Sequence, residues 1–327
     1  MNKHNKFSNK YCEEYKNNFL TVVNLTKQYK KNMKPAINNL NFVVGPSEFH
    51  AFIGGNGAGK TTTIKSIIGA YANYIGKIYF CGYINKTIEA KRLIGYIPEV
   101  ARFPENTSTR NYLINMALLS EVKRKDVKKI VDQILVDLNM QNLAKKSPNS
   151  FSSGQKKKIL LAQALIHDPK ILIMDEPAAN LDPRARIEFF ETLKKLQHNG
   201  KSIFISSHIL DEIDKYATHA TILDGGKVVF SEKLEDYRKS KEKSLYLKFK
   251  NNEQTKKWFK QEKINFEFDN DRNIFIIKLK NIDSNKLLSK LIKEKNMPIY
   301  YEINAETLEE IFYHYVIKGS VHTMKVN

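Results

Sequence analysis

The chain has 327 residues, 42% of them hydrophobic, enough for about two domains with buried cores. No apolar run reaches the roughly 18 residues that span a bilayer, and the Lys- and Asn-rich start lacks the apolar stretch of a secretory signal, so neither a membrane span nor a leader is expected. Cys12 and Cys81 have no metal or redox spacing, which fits a reducing compartment; the net charge of +19 rests mainly on Lys, with only eight Arg, and is spread along the chain rather than gathered into a nucleic-acid stripe.

Residues 1–19 are polar with scattered aromatics and read as a mobile tail. From residue 20 to about 98, strand-like runs alternate around one helix. Phe49 to Ile53 reads as a short buried strand and Thr61 to Ile68 as the first turns of a helix. Between them, Gly54-Gly55-Asn56-Gly57-Ala58-Gly59-Lys60-Thr61 fits the phosphate-loop pattern G-x-x-x-x-G-K-[ST] at every specified position. Glycines let backbone N–H groups turn inward around phosphate oxygens, and the helix start adds partial positive charge. Lys60 can reach the β- and γ-phosphates of a nucleotide and the Thr61 hydroxyl can ligate magnesium. The expected cradle runs from Gly54 to Thr62.

From about Val100 to Asp168 the pattern turns helical. Tyr112, Leu113, Met116 and Leu119 form one apolar stripe, and Val127, Ile130, Val131, Ile134 and Leu138 another. Lys123-Arg124-Lys125 and Lys156-Lys157-Lys158 read as solvated helix faces. Phe151-Ser152-Ser153-Gly154-Gln155 opens a further helix, whose small residues expose N–H groups suited to an anion. Ile171 to Met174 is a continuous apolar run, as in a parallel strand covered on both faces, and ends in Asp175-Glu176-Pro177. Acidic residues there would lie beside the phosphate loop, Asp175 to hold magnesium and Glu176 to polarise an attacking water. Ile203 to Ile205 is another strand, followed by Ser206-Ser207-His208. Asp224-Gly225-Gly226 is a hairpin turn between Thr221 to Leu223 and Val228 to Phe230.

The last 90 residues or so form a separate unit. Leu245 to Phe249, Phe266 to Phe268, Ile274 to Leu279 and Ile299 to Tyr301 read as strands, with a turn at Asp269-Asn270-Asp271. Leu287 to Ile292 reads as a helix, and Thr307-Leu308-Glu309-Glu310 as a capping box with Leu308, Ile311, Phe312 and Tyr315 on one face. This unit shows no catalytic constellation.

The motif order along residues 20–236 resembles the ATPase subunit of an ABC (ATP-binding cassette) transporter: phosphate loop, Ser152-Ser153-Gly154-Gln155, Asp175-Glu176-Pro177, Asn180-Leu181-Asp182, then Ser206-Ser207-His208. The resemblance implies an α/β fold: a phosphate-loop NTPase cassette over 20–236 with a central mostly parallel sheet, an antiparallel β portion and a helical subdomain at about 100–168. A small C-terminal α+β accessory domain occupies 237–327. It implies ATP and Mg2+ as cofactors. By family pattern Tyr29 stacks on adenine, Ser152 and Gly154 contact a γ-phosphate, Asn180 to Asp182 couples two active sites, and His208 contacts the γ-phosphate.

Two positions depart from that pattern. Glu99 stands where the family usually has Gln, a plausible metal ligand of less certain coupling role, and Ser153 stands where Gly is usual. Lys60, Asp175, Glu176 and His208 are all retained, so a competent ATP hydrolase is expected. In the family the signature of one cassette closes over the phosphate loop of another. One copy of each motif therefore implies two half-sites and a second cassette, as homodimer or heterodimer, with a separate transmembrane permease. The chain is then expected in the cytoplasm, peripheral on the inner face of the cell membrane. The Thr307 to Phe312 segment resembles the end of drug-, lantibiotic- and peptide-exporter ATPases, which implies export of a drug, peptide or lipid. The alternative is a soluble cassette ATPase acting on ribosomes or nucleic acid, disfavoured by the single compact cassette and the dispersed charge.

Overall fold

The computed structural model describes residues 11–30, 33–240, 243–279, 282–294, 296–304 and 306–318. The chain divides into two compact units, Met1–Ser231 and Glu232–Asn327, a break slightly N-terminal to the expected one at Asp236.

Alternating or continuous apolar runs fix the strands of the first unit. β1 (Leu20–Lys27) and β2 (Ile37–Val44) form an antiparallel pair, and β3 (Phe49–Gly54) is buried throughout. α1 (Lys60–Ile67) follows, then β4 (Ile75–Phe80), β5 (Tyr83–Ile84), α2 (Ile88–Arg92) and β6 (Ile94–Ile97). Helices α3 (Thr109–Leu119), α4 (Arg124–Asp137) and α5 (Ser153–Leu165) come next, then β7 (Ile171–Met174), α6 (Pro183–His198) and β8 (Ser202–Ser207). α7 (Leu210–Ile213), β9 (His219–Asp224) and β10 (Lys227–Lys233) complete the series. The hairpin between β9 and β10 turns at Gly225 and Gly226, with φ of 50° and 77°, the left-handed pair such a turn requires.

Two sheets result. One has the order β2-β1-β4-β5, the other β10-β9-β3-β8-β7-β6. In the larger sheet β9, β3, β8, β7 and β6 run parallel, with Ile53 opposite Ser207, Met174 opposite Ile205 and Ile97 opposite Met174. This register lines up the C-terminal ends of β3, β7, β8 and β6 along one edge, where open parallel sheets bind ligands. The two sheets share one core, in which Phe42 of β2 stacks on Phe204 of β8 at 5.7 Å.

The expected tail does not extend over residues 11–19. The Cys12 N–H donates to Gly82 O at 2.8 Å, Tyr11 packs on Tyr83 at 4.9 Å and Tyr15 on Tyr79 at 5.0 Å, so the scattered aromatics dock this segment on β4 and β5. Residues 1–10 lie outside the described ones.

Of the expected α4 stripe Val127, Val131 and Leu138 are buried and Ile130 and Ile134 half-buried, while Leu135, outside that stripe, is buried as well. That of α3 is rotated: Thr109, Tyr112, Leu113 and Ala117 are buried and Leu119 is 75% exposed, so the buried face centres nearer Leu113 than the expected stripe did. Gly95 lies between β6 and α5. A Cβ there would stand 2.6 Å from Ala164 O and from Leu172 Cδ2. Gly95→Ala is expected to lower stability by about 1–3 kcal/mol, measured by urea unfolding, since both neighbours lie within regular elements.

In the second unit α8 (Leu234–Ser240) precedes β11 (Ser244–Lys248), α9 (Asn252–Gln261), β12 (Glu267–Asp269), β13 (Ile274–Lys278), α10 (Ser284–Lys293), β14 (Tyr300–Asn304) and α11 (Leu308–Phe312). The sheet is antiparallel in the order β12-β13-β11-β14, and Leu245, Leu247, Phe259, Phe275, Leu287 and Leu291 fill its core. The capping box of Thr307 and Glu310 is formed. α9 buries Thr255 and Phe259, with Trp258 packed beside them on the same core.

Candidate functional site

The phosphate loop leaves β3 at Gly54 and enters α1 at Lys60. Gly57 has φ of 80° and Gly59 of 106°, left-handed values that disfavour side chains. At Gly59 a Cβ would also stand 2.5 Å from Ile37 Cγ2 and 2.9 Å from Ala36 O. The loop therefore folds flat beside β2 and borders an open cleft of about 350 Å3. Of the expected cradle, Gly55, Asn56, Gly57, Gly59, Lys60, Thr61 and Thr62 line this cleft. Gly54 and Ala58 are not among the lining residues: Gly54 O accepts from Lys60, and the Ala58 methyl joins the core while its N–H donates to Gly55 O at 3.1 Å.

Glu99, Glu176, Ala179 and His208 reach the same cleft from the ends of β6, β7 and β8. Lys60 is 7% exposed; its Nζ donates to Gly54 O at 2.7 Å and lies 3.4 Å from Glu176 Oε1. The other oxygen of Glu176, Oε2, lies 2.5 Å from His208 Nδ1, so one carboxylate spans a buried cation and an imidazole. Glu176 has φ of 46°, an uncommon state for a residue preceding proline and a local strain of the kind found at working sites. Ser206 holds it there. The Glu176 N–H donates to Ser206 Oγ at 2.9 Å, and Ser206 Oγ donates to Asp175 Oδ1 at 3.0 Å. The sequence pattern gave Ser206 no role of its own; the signal available was a hydroxyl directly after the apolar run Ile203 to Ile205 of a fully buried strand.

Asp175 is buried and also accepts from Thr61 Oγ1 at 3.3 Å. Two hard oxygens thus meet beneath the cleft, with Glu99 on its wall. Burial together with the charges of Asp175 and Glu99 pushes the Tyr96 phenol up to about 12, a sign of negative potential in this corner. Among the described residues no group of three or more His, Cys, Asp or Glu could hold a metal ion unaided. A hydroxyl, one carboxylate and substrate phosphates are the donor set that suits Mg2+, which keeps several waters and is seldom caged by protein alone.

Other expected site residues lie apart from the cleft lining. Tyr29 is 55% exposed and accepts or donates at 3.0 Å with Thr62 Oγ1, at the rim. Ser152, Ser153, Gly154 and Gln155 do not line it. Ser152 caps α5: the Gln155 N–H donates to Ser152 Oγ at 3.3 Å, and the Ser152 N–H donates to Gln155 Oε1 at 3.1 Å. Asp182 caps α6, accepting from the Ala185 N–H at 2.9 Å.

The reading of Lys156-Lys157-Lys158 as a solvated face needs correction. Lys157 is 4% exposed, and its Nζ donates to Pro98 O at 3.0 Å and Glu99 O at 2.5 Å. Helical geometry sets it inward, because its stem fills the space above β6 while Lys158 pairs with Glu188 at 2.6 Å. Burial pulls its pKa down to about 8, against the opposing pull of Glu99 and Asp175. Lys123, Arg124 and Lys125 are exposed as expected.

Comparison with known proteins agrees with this geometry. The family model described as "ABC transporter" matches residues 37–179. A Mycoplasma pneumoniae protein named as an ABC transporter ATP-binding protein is 40% identical over 278 residues, covering 84% of this chain and 85% of its own. The bacitracin transport ATP-binding protein of Bacillus licheniformis is 34% identical over 241 residues, with 72% and 76% covered. A solved structure of an ATP-binding subunit of an ABC transporter superposes with a TM-score of 0.61 at 30% identity, over 68% of this chain and 92% of that one. Sequence, cleft and relatives agree: the chain belongs to the ATP-binding proteins of ABC transporters, a family of ATP hydrolases.

Proposed function

We propose that this cassette hydrolyses ATP at the cleft between the phosphate loop and Glu176, as half of a two-cassette engine driving export through a separate transmembrane permease. The observation that carries the mechanism is the Glu176 carboxylate, set between Lys60 and His208 on the cleft wall. Lys60 binds the β- and γ-phosphates of ATP. Glu176 takes a proton from water as the water oxygen bonds to the γ-phosphorus; the bond from that phosphorus to the β–γ bridging oxygen breaks, and ADP leaves with the electron pair. His208 orients Glu176 and contacts the γ-phosphate. Thr61 and Asp175 hold Mg2+, with Glu99 as a further oxygen ligand; the ion supplies neutralisation of phosphate charge when bound. Tyr29 at the rim is the stacking partner for adenine.

The signature residues Ser152 to Gln155 are not among those lining the chain's own cleft, which supports their use on the nucleotide of a second cassette. Homodimer and heterodimer both fit. A Glu176→Gln variant is expected to be monomeric with ADP and dimeric with ATP by sedimentation or light scattering; monomers throughout would overturn the homodimer form of the reading. No helix among the described residues is long and apolar enough to cross a membrane. A relative named for bacitracin transport and the Thr307 to Phe312 segment support export of a peptide, drug or lipid, with the cassette on the cytoplasmic face. The C-terminal unit, which has no catalytic constellation in its sequence, has a dimer-supporting or regulatory role. The test is a mild-detergent pull-down of the tagged protein from its native cells. A stoichiometric multi-span membrane protein is expected; ribosomal proteins or nucleic acid alone would favour the alternative instead.

A further inference from the structure

Lys157 sits in the middle of a lysine run, yet it is the buried one, with its ammonium on the carbonyls of Pro98 and Glu99. Those residues follow β6 just as Asp175 and Glu176 follow the adjacent β7, and the Asp175 N–H donates to Ile97 O at 3.0 Å. The contact is one end of a longer seam between α5 and β6. In its middle Gly95 lets the Ala164 carbonyl approach β6. At its far end His167 Nε2 donates to Ile94 O at 2.9 Å. Glycine and histidine join the body of α5 to β6; Lys157 is the tie at the cleft end. An ammonium taken out of water keeps its few acceptors tightly, because losing one leaves a buried charge under-solvated.

We propose that Lys157 is a positioning residue for ATP hydrolysis, fixing the Pro98-Glu99 backbone so that the Glu99 carboxylate stays on the metal side of the cleft. The inference rests on the reading of Glu99 as a ligand of Mg2+. Ser152 lies at the start of the helix that carries Lys157, so a shift of that helix end moves Glu99 with it. Engagement of the signature at one nucleotide is thereby felt at the metal of the other.

The test uses the full chain and two readouts. One is binding of a fluorescent ATP with and without Mg2+; the other is phosphate release across a range of Mg2+ concentrations. Glu99→Ala is expected to lose most of the gain in nucleotide affinity that Mg2+ confers. Lys157→Met, which keeps the stem and removes the charge, is expected to raise the Mg2+ needed for half-maximal turnover by about tenfold or more, as loss of a ligand-orienting partner does elsewhere. Its affinity for metal-free ATP stays at the wild-type value. Lys157→Arg restores most of the loss, and the double variant with Glu99→Ala is no worse than Glu99→Ala alone. A strong Glu99→Ala beside a Lys157→Met of normal Mg2+ dependence overturns the inference alone, as do fully additive effects. A silent Glu99→Ala overturns the ligand reading and the inference with it. If Lys157→Met does not fold, Lys157→Gln, whose amide still donates to one carbonyl, is judged by the same outcomes.

Discussion

Glu176→Gln is expected to bind ATP at least as well as the wild type while turning over about 100-fold or more slowly, the scale of losing a general base. The substitution keeps shape and volume. The backbone N–H to Ser206 Oγ, which sets the residue's position, is untouched. The amide can still accept from Lys60 through its oxygen and meet His208 through its nitrogen, so the cleft holds its form. An amide cannot take a proton from water at neutral pH, and that single deficit falls on the chemical step. Removal of a negative charge from the cleft favours the anionic nucleotide, if anything. Phosphate release and fluorescent nucleotide titration on the same preparation separate the two effects. Normal turnover in this variant would end the assignment of the base.

Lys60→Met is expected to weaken ATP binding by about 10²–10³-fold and to bring turnover below detection, the loss seen when a preorganised charged donor is removed from a reacting centre. The Lys60 ammonium is buried, donates to Gly54 O and Gly55 O and pairs with the Glu176 carboxylate, so it is held at the cleft before any phosphate arrives. Methionine fills the same space without the charge. Fold stability is expected to fall as well, because removing one partner of the pair leaves the largely buried Glu176 carboxylate with His208 alone. Urea unfolding beside the nucleotide titration decides the matter. A large loss of stability with normal ATP affinity would make the residue a structural lysine and overturn its place in the site.

Local chemistry carried much of the site into the sequence. A glycine-rich loop ending in Lys60-Thr61 has few uses besides wrapping phosphates, because left-handed positions such as Gly57 and Gly59 serve close backbone approach. The apolar run Ile171 to Met174 ending in Asp175-Glu176 was legible for a related reason. A strand buried on both faces can carry charge only where it ends, and the end of a parallel strand is where ligands bind. The capping box at Thr307 was legible because capping is settled within four residues.

Lys157, Leu119 and residues 11–19 were not legible in that way, and each failed for a reason of packing. Whether a lysine in a run of three points inward depends on the helix's rotation against β6, which Gly95 and Ala164 set from a distance. Leu119 was expected to be buried, but α3 packs through the neighbouring line of Thr109, Leu113 and Ala117. Tyr11 and Tyr15 gain their order from Tyr83 and Tyr79, far along the chain.

The sequence by itself determined the chemistry: a phosphate cradle, a cation to meet phosphate, an acidic pair at a strand end and a histidine after another, since residue type and short-range spacing suffice for these. Only the tertiary structure decided which of them meet. The parallel register of β3, β8, β7 and β6 brings Lys60, His208, Glu176 and Glu99 to one cleft. The physical reason is that hydrogen-bonded register and helix rotation are set by long-range packing. No short stretch of sequence contains that information.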